Sequence, residues 1–446
     1  MTKLFGTDGM RGVAGEFPLD YGSVYALGGA LIRLLREQGY TPQVLIGRDT
    51  RESGDWLEKA LFQGISDAEG EPVSAGVIPT SAISYLVRDY SISAGVVISA
   101  SHNPFQDNGI KIFSSQGMKI SEQWENILED AIRKADRDVV PAELRIDQAT
   151  SLRKVYTDFL KSRFTPGHAP RRLKVVLDCS NGAASQFASE VMTDLGFETQ
   201  AIGCSPDGRN INLACGSLYP ENLARTVKEC GADMGIAYDG DADRALWVDE
   251  TGRNLNGDHT LFVLAGYMQD RGTLSRDTVV ATIMSNMGLE VALKGRGLML
   301  YRSSVGDKYV LEDMLKLGSN LGGEQSGHTI LLDDCPTGDG ILTSIKMLEA
   351  MAVSGASLSE LVSGFQEYPQ ILQSVRVSKK EDFSLYPEIA DAMACAAAEL
   401  GEAGRLNVRY SGTEPVARIM VEGPDRERIE KHARQLADAI VRHLGE

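Results

Sequence analysis

Short apolar runs rich in β-branched residues recur along the chain, each closed by a polar loop. Residues 44–46, 94–98, 173–177, 234–238 and 278–283 have the length and composition of buried strands. Between them lie stretches with helical spacing. Residues 20–38 predict a helix with Val24, Leu27, Leu31 and Leu34 on one face, Asp20 as cap and Gly39 as stop, and residues 122–135 predict another. Strand, polar loop, helix is the repeating order, which predicts α/β domains with largely parallel sheets. Toward the end a helical pattern at 358–365 gives way to Tyr368-Pro369, an alternating 374–377 and an alternating 418–422. A final amphipathic helix carries Ile429, Ala433, Leu436 and Ile440, so the last block reads as a smaller α+β domain. His432 and His443 fall on that helix and read as surface residues.

At 446 residues the chain is too long for one core, and ordinary domain size predicts three or four domains. A charged, irregular passage at 136–150 marks the first edge, and the loop-and-strand pattern places the divisions at 1–150, 151–253, 254–367 and 368–446. Hydrophobic residues make up 43% and charged residues 24%, the balance of a soluble protein with no apolar stretch long enough to cross a bilayer. The opening residues lack a secretory apolar region, which predicts a cytoplasmic protein. Six cysteines without a CxxC pair argue against a zinc site or a disulfide framework and predict reduced thiols. The net charge of -17 excludes sequence-independent nucleic-acid binding, yet a few arginines and backbone amides can still build a local anion site.

Chemistry-bearing residues gather in the loops. The strand at 94–98 delivers Ser99-Ala100-Ser101-His102-Asn103-Pro104, a hydroxyl beside an imidazole, with Lys111 shortly after; Ser101 is the candidate acceptor of a covalent group. Asp239-Gly240-Asp241-Ala242-Asp243 sets three carboxylates at alternate positions, which suits a hard divalent cation, and Mg²⁺ over Ca²⁺ because the twelve-residue calcium loop is lacking. Arg244 adjoins it, as a phosphate-bearing substrate would want. Glu324, Ser326 and His328 lie between glycines, a set able to grip sugar hydroxyls. Arg409-Tyr410-Ser411-Gly412-Thr413 has the composition of a phosphate cradle, to which Arg418 adds a second fork. The opening Gly6-Thr7-Asp8-Gly9-Met10-Arg11-Gly12 brings one cation, Arg11, to a backbone built for close approach. An ordinary turn, acidic loop or cap accounts for any one of these taken alone. Neither a G-x-S-x-G elbow nor a P-loop occurs.

Together, the Ser-His-Asn-Pro, DGDADR, GEQSGH and RYSGTEP loops, in this order, resemble the α-D-phosphohexomutase superfamily over essentially the whole chain. The segments 4–12, 108–111 and 323–328 most resemble its phosphoglucosamine mutase branch. That resemblance implies four domains around a central cleft, the first three similar α/β domains with mixed sheets and the last a smaller α+β domain. It implies that Ser101 carries a phosphoryl group and, with Asp239, Asp241 and Asp243, binds Mg²⁺. It places Arg11, His102, Asn103, Lys111 and Arg244 around the reacting phosphate, and Glu324, Ser326 and His328 on the sugar, His328 also in proton transfer. Arg409, Ser411, Gly412, Thr413 and Arg418 would hold the phosphate that does not react.

The implied activity is interconversion of glucosamine 6-phosphate and glucosamine 1-phosphate through a phosphoserine and a sugar 1,6-bisphosphate, which also serves as activator. This conversion supplies UDP-N-acetylglucosamine and cell-wall precursors. The implied partners are a small hexosamine phosphate and a second copy in a homodimer, with no nucleic acid and no membrane. Phosphomannomutase or phosphoglucomutase activity is the alternative within the class, and a noncatalytic sugar-phosphate sensor the alternative outside it. Two positions depart from the branch pattern: Met10 stands where Ile is usual, and Lys308, in the specificity segment 303–309, stands where Arg is expected.

Overall fold

The computed structural model describes residues 3–165, 172–411 and 415–445, and each predicted buried strand is a strand in it. The chain forms two compact units, Met1–Met284 with Leu298–Ser363, and Ser285–Gly297 with Gly364–Glu446.

The first unit holds three sheets. One has six strands in the order Phe5–Gly6, Gly9–Val13, Asp107–Ser114, Ala94–Ile98, Gln43–Arg48, Glu71–Val77. The second runs Asn254–Leu255, Ala245–Asp249, Met234–Tyr238, Lys174–Asp178, Glu198–Ile202, and the third Met299–Ser303, Thr278–Thr282, Leu321–Gly323, Thr329–Leu331. All three repeat one plan. Two parallel strands joined by a helical crossover lie beside a third, which turns back through a loop into an antiparallel fourth. The sheets are therefore mixed, not largely parallel, because strand periodicity reports burial and is silent about the direction of the neighbour.

Local chemistry accounts for the helix ends. Asp20 Oδ1 accepts the Ser23 N–H at 2.9 Å to start Tyr21–Glu37, and Gly39 closes it with φ +79°. Val24, Leu27, Leu31 and Leu34 of this helix are buried as their spacing predicts. Helix Gly257–Asp270 opens with a capping box between Asn256 and His259. The pattern at 358–365 yields only the short helix Leu358–Leu361. No described helix is long and apolar enough to cross a membrane.

The second unit contains an antiparallel sheet, ordered Gln370–Arg376, Val416–Glu422, Arg405–Tyr410, with helices Pro387–Leu400 and Arg426–Leu444. Helix Met287–Gly295 joins this unit: the Met287 N–H donates to Glu422 Oε1 at 2.8 Å, and Glu422, fully buried, pairs with Arg405 at 2.8 Å. His432 is buried, 3.2 Å from Glu399, and so is not the surface residue expected; it lies three residues after Ile429 on the same apolar stripe. All six cysteines are free.

Burial first, and then the Arg253 guanidinium, push His259 down to about 4 from its ordinary 6.5. Between those values the unfolded chain takes up a proton that the folded chain refuses, so this group withdraws stability as pH falls from 6.5 toward 4. In His259→Gln, urea unfolding midpoints measured across that window should fall less steeply than in the wild type. An identical slope would show that His259 is not the group responsible.

Candidate functional site

In each sheet of the first unit, the loop closing the antiparallel pair carries one of the predicted motifs. Ala94–Ile98 and Asp107–Ser114 present Ser101, Met234–Tyr238 and Ala245–Asp249 present the three aspartates, and Leu321–Gly323 and Thr329–Leu331 present Glu324, Ser326 and His328.

Ser101 is fully buried and sits at φ +52°, a left-handed backbone that costs a serine about 1–3 kcal/mol. Its Oγ donates to Asp239 Oδ2 at 2.5 Å and lies 3.2 Å from His102 Nδ1. The two loops meet backbone to backbone here: a Cβ on Gly240 would fall 2.5 Å from the Ser101 carbonyl oxygen, so only glycine fits.

Oxygen atoms of Asp239, Asp241 and Asp243 lie within 4.8 Å of one another, all buried. Lys111, buried to 1% exposure, places its Nζ 2.8 Å from Asp241 and 3.0 Å from Asp243. Burial alone would lower the Lys111 pKa, but Asp241, Asp243 and Asp8 outweigh it and hold the ammonium charged well above its usual range. Asp243 shows the converse: burial opposes its charge, and Lys111 overcomes that to keep its pKa well below normal. For Asp239, burial followed by the charges of Asp243 and Asp241 outweighs Arg244 and the Ser101 bond and drives its pKa well above normal. Asp241 Oδ1 and Asp243 Oδ1 are buried and accept no hydrogen bond. Unbonded buried carboxylate oxygens, in a trio short of positive charge, are the donor set of a hard divalent cation.

His102 Nδ1 also lies 3.2 Å from Arg244 Nη1. Burial first, then Arg244 and Arg11, push this histidine down to about 4, so it is neutral near pH 7. Arg11 reaches Asn103 Oδ1 at 3.4 Å and bonds to Asp8. His328 is buried with Nδ1 3.8 Å from Asp243. Burial opposes its charge, but Asp243, Asp307 and Glu324 outweigh it and raise its pKa, while the Gly338 N–H donates to its Nε2 at 2.9 Å. A lone pair must sit on that nitrogen, so this bond fixes the orientation of the ring. Glu324 Oε1 accepts the Gly306 N–H at 3.1 Å, and Ser326 is exposed. Lys308 Nζ turns to Glu125 at 3.7 Å, and Met10 is buried in the first core.

The second unit holds the remaining candidates. Arg409 and Arg418 are cross-strand partners, so two guanidinium groups share one face of the hairpin. Like charges placed directly opposite favour an anion between them. Ser411 closes the hairpin by donating its N–H to Val416 O at 2.9 Å. Gly412 and Thr413 lie outside the described residues.

Several supports carried no local signal. Arg51, 1% exposed, donates through its Nη atoms to the carbonyls of Ser101 (3.0 Å), Asn103 (2.8 Å), Asp107 (3.0 Å) and Pro104, while its Nε bonds Asp49 at 2.9 Å. Asn212 Nδ2 donates to Ser101 O at 2.9 Å. Thr80 Oγ1 donates to Asp241 Oδ2 at 2.6 Å, and in the second unit Lys380 Nζ donates to Ser411 O at 2.6 Å.

Sequence profiles described as phosphoglucomutase/phosphomannomutase alpha/beta/alpha domains I, II and III match residues 2–138, 154–252 and 256–368, and that of the C-terminal domain matches 372–439. The phosphoglucosamine mutase of Koribacter versatilis is 46% identical over 99% of this chain and 97% of its own. That of Caldicellulosiruptor bescii is 46% identical over the full length of both. Among solved structures, a phosphoglucomutase/phosphomannomutase family protein from Burkholderia thailandensis superposes with a TM-score of 0.81 at 23% identity, covering 99% of this chain and 97% of the other. Aspergillus fumigatus N-acetylphosphoglucosamine mutase, in complex with GlcNAc-6P and magnesium, reaches 0.67 at 18% identity, covering 98% and 95%. At these identities the two structures speak for the fold.

Replacing the Arg51 fork by a single ammonium should leave loop carbonyls unpaired. Arg51→Lys is expected to lose about 2 kcal/mol in urea unfolding, and amide exchange at residues 101–107 should quicken. Unchanged exchange would show that the fork does not hold the loop.

Proposed function

The chain belongs to the phosphoglucomutase/phosphomannomutase family, the α-D-phosphohexomutases, and on that premise we propose that it interconverts glucosamine 6-phosphate and glucosamine 1-phosphate. The choice of amino sugar is supported by full-length relatives named phosphoglucosamine mutase. The observation that carries the chemistry is the buried Ser101 hydroxyl, 2.5 Å from Asp239 and beside two further carboxylates and a charged lysine.

Ser101 carries a phosphoryl group between turnovers. In the first half-reaction the bond from phosphorus to Ser101 Oγ breaks as one forms to the free sugar hydroxyl oxygen, and the proton lost by that hydroxyl is balanced by one gained at Ser101 Oγ. The product is the 1,6-bisphosphate. After this intermediate turns over, the bond from its other phosphorus to the sugar oxygen breaks as one forms to Ser101 Oγ, and the proton lost by the serine hydroxyl is balanced by one gained at the freed sugar oxygen. Lys111 and Arg11 stay charged beside the moving group, and neutral His102 keeps its lone pair at the same place. Asp239, Asp241, Asp243 and the Ser101 phosphate would hold Mg²⁺, which supplies charge neutralisation for phosphoryl transfer.

Glu324 and Ser326 grip the sugar hydroxyls, and His328 orients beside them. Arg409, Arg418 and Ser411, with Gly412 and Thr413, take the phosphate at the far end of the sugar. An arrangement that accepts phosphate at either end explains a remote cradle coexisting with a reactive serine. A noncatalytic sensor has no use for that serine.

Intact-mass measurement should find one phosphoryl group on the purified or bisphosphate-treated protein and none on Ser101→Ala, with activity lost in parallel. With Mg²⁺ and a bisphosphate primer, kcat/KM should be higher for glucosamine phosphate than for glucose or mannose phosphate. A higher value for either of the latter would hand the substrate to the phosphoglucomutase or phosphomannomutase alternative. An Ser101→Ala protein that isomerises normally would end the phosphoserine scheme.

A further inference from the structure

Lys119 belongs to none of the motif loops, yet it occupies a junction. Its Nζ lies 2.6 Å from Asp8 Oδ1 and 2.7 Å from Asp307 Oδ2. Asp8 passes the connection inward: its Oδ2 is 3.2 Å from Lys111 Nζ, and it also accepts from Arg11. On its other side Asp307 lies only near His328 Nε2, at 3.6 Å, since that nitrogen already accepts from Gly338. Lys111 in turn lies 3.0 Å from Asp243. The successive ion pairs of Asp243, Lys111, Asp8, Lys119 and Asp307 thus join segments belonging to all three sheets of the first unit.

Asp307 is placed to transmit a shift. It is the first residue of helix Asp307–Leu317 and follows Gly306, whose φ of +126° and N–H bond to Glu324 fix the start of that helix against the sugar loop. Displacing Asp307 therefore displaces the support of Glu324. The next residue, Lys308, pairs with Glu125 on helix Glu122–Lys134, so the segment 303–309 is fastened to the first sheet's layer at two adjacent points. Lys119 and Asp307 also line a cavity of about 330 Å³ together with Trp124, Leu311 and Ile330, a cavity that Asp8, Lys111 and His328 do not line. Burial alone would lower the Lys119 pKa, but Asp307 and Asp8 hold the ammonium charged above its normal range.

We propose that Lys119 and Asp307 are positioning residues that keep the sugar-recognition segment 303–309 and Glu324 in register with Arg11 and Lys111 at the reacting phosphate. The inference rests on the phosphohexomutase reading above and extends it: recognition in the third sheet and phosphoryl transfer in the first are coupled through one ion pair. Lys119 acts through Asp8 and Asp307 and touches neither substrate nor metal.

The test uses the full chain with Mg²⁺ and a bisphosphate primer, comparing Lys119→Met, Asp307→Asn, their double variant and Lys119→Arg, each checked for wild-type thermal unfolding. Lys119→Met and Asp307→Asn should each lower kcat/KM for glucosamine phosphate by about tenfold to a hundredfold, with both a lower kcat and a higher KM. The double variant should fall no further than the worse single one, and Lys119→Arg should recover most of the loss. Multiplying losses, an unaffected KM, or an arginine variant no better than methionine would overturn the inference. Should Lys119→Met fail to fold, a folded Asp307→Asn with wild-type kinetics overturns it equally. A wild-type protein inactive on every hexose and hexosamine phosphate would remove the functional reading and this inference together, whereas an active wild type with unaffected variants removes the inference alone.

Discussion

Three carboxylates within 4.8 Å of one another, all buried, repel each other strongly, and much of the first unit answers that repulsion. Lys111 answers from the strand Asp107–Ser114, Arg244 from the chain immediately after the trio, and Thr80 from the start of helix Thr80–Asp89. The answer is partial. Asp239 remains a carboxyl whose charge is disfavoured, and two oxygens stay without hydrogen bonds. A protein that fully neutralised this loop would have no affinity left for a cation or for a phosphate bridged by one. The residual imbalance is what the proposed cation would draw on, and the buried lysine keeps the loop tolerable without full neutralisation.

The topology explains how so many charged groups reach one place. Each sheet of the first unit ends a parallel strand in a loop that returns antiparallel, so its chemistry lies beyond the carboxyl end of a central strand, where α/β sheets open to ligands. A single loop of this kind supplies two or three side chains. Repeating the plan yields a Ser101 loop, an aspartate loop and a Glu324–His328 loop of different sequence but equal placement in the first unit. Divergence of the loops on a shared plan explains why no letter-by-letter repeat is visible.

The strands and helix starts were legible because burial and capping are local properties, and Asp20 and Asn256 act within a turn of themselves. Strand direction was not, because an apolar run has the same composition beside a parallel or an antiparallel neighbour. Motif residues were legible as candidates, while their supports were not. Arg51 reads as one more cation in a turn, and only the fold places it under carbonyls some fifty residues away. Lys119 and Asp307 are 188 positions apart in the chain. His432 could have been placed inside from its spacing to Ile429, Ala433 and Leu436, which shows that a polar residue on an apolar stripe should be read by position before type.

The second unit is discontinuous in sequence. Its helix Met287–Gly295 arises in the crossover between two strands of the third sheet, and the chain passes between the units at 284/285, 297/298 and 363/364. The C-terminal segment is thus not a module that gene fusion could have appended or that a stop codon could cleanly remove. Cut at 364, it would lose the backbone N–H that meets Glu422 and the Ser285 carbonyl that meets Arg405, leaving an ion pair with part of its surroundings gone. Transplanting this unit intact means exchanging two separate stretches of chain, the crossover helix along with the C-terminal hairpin.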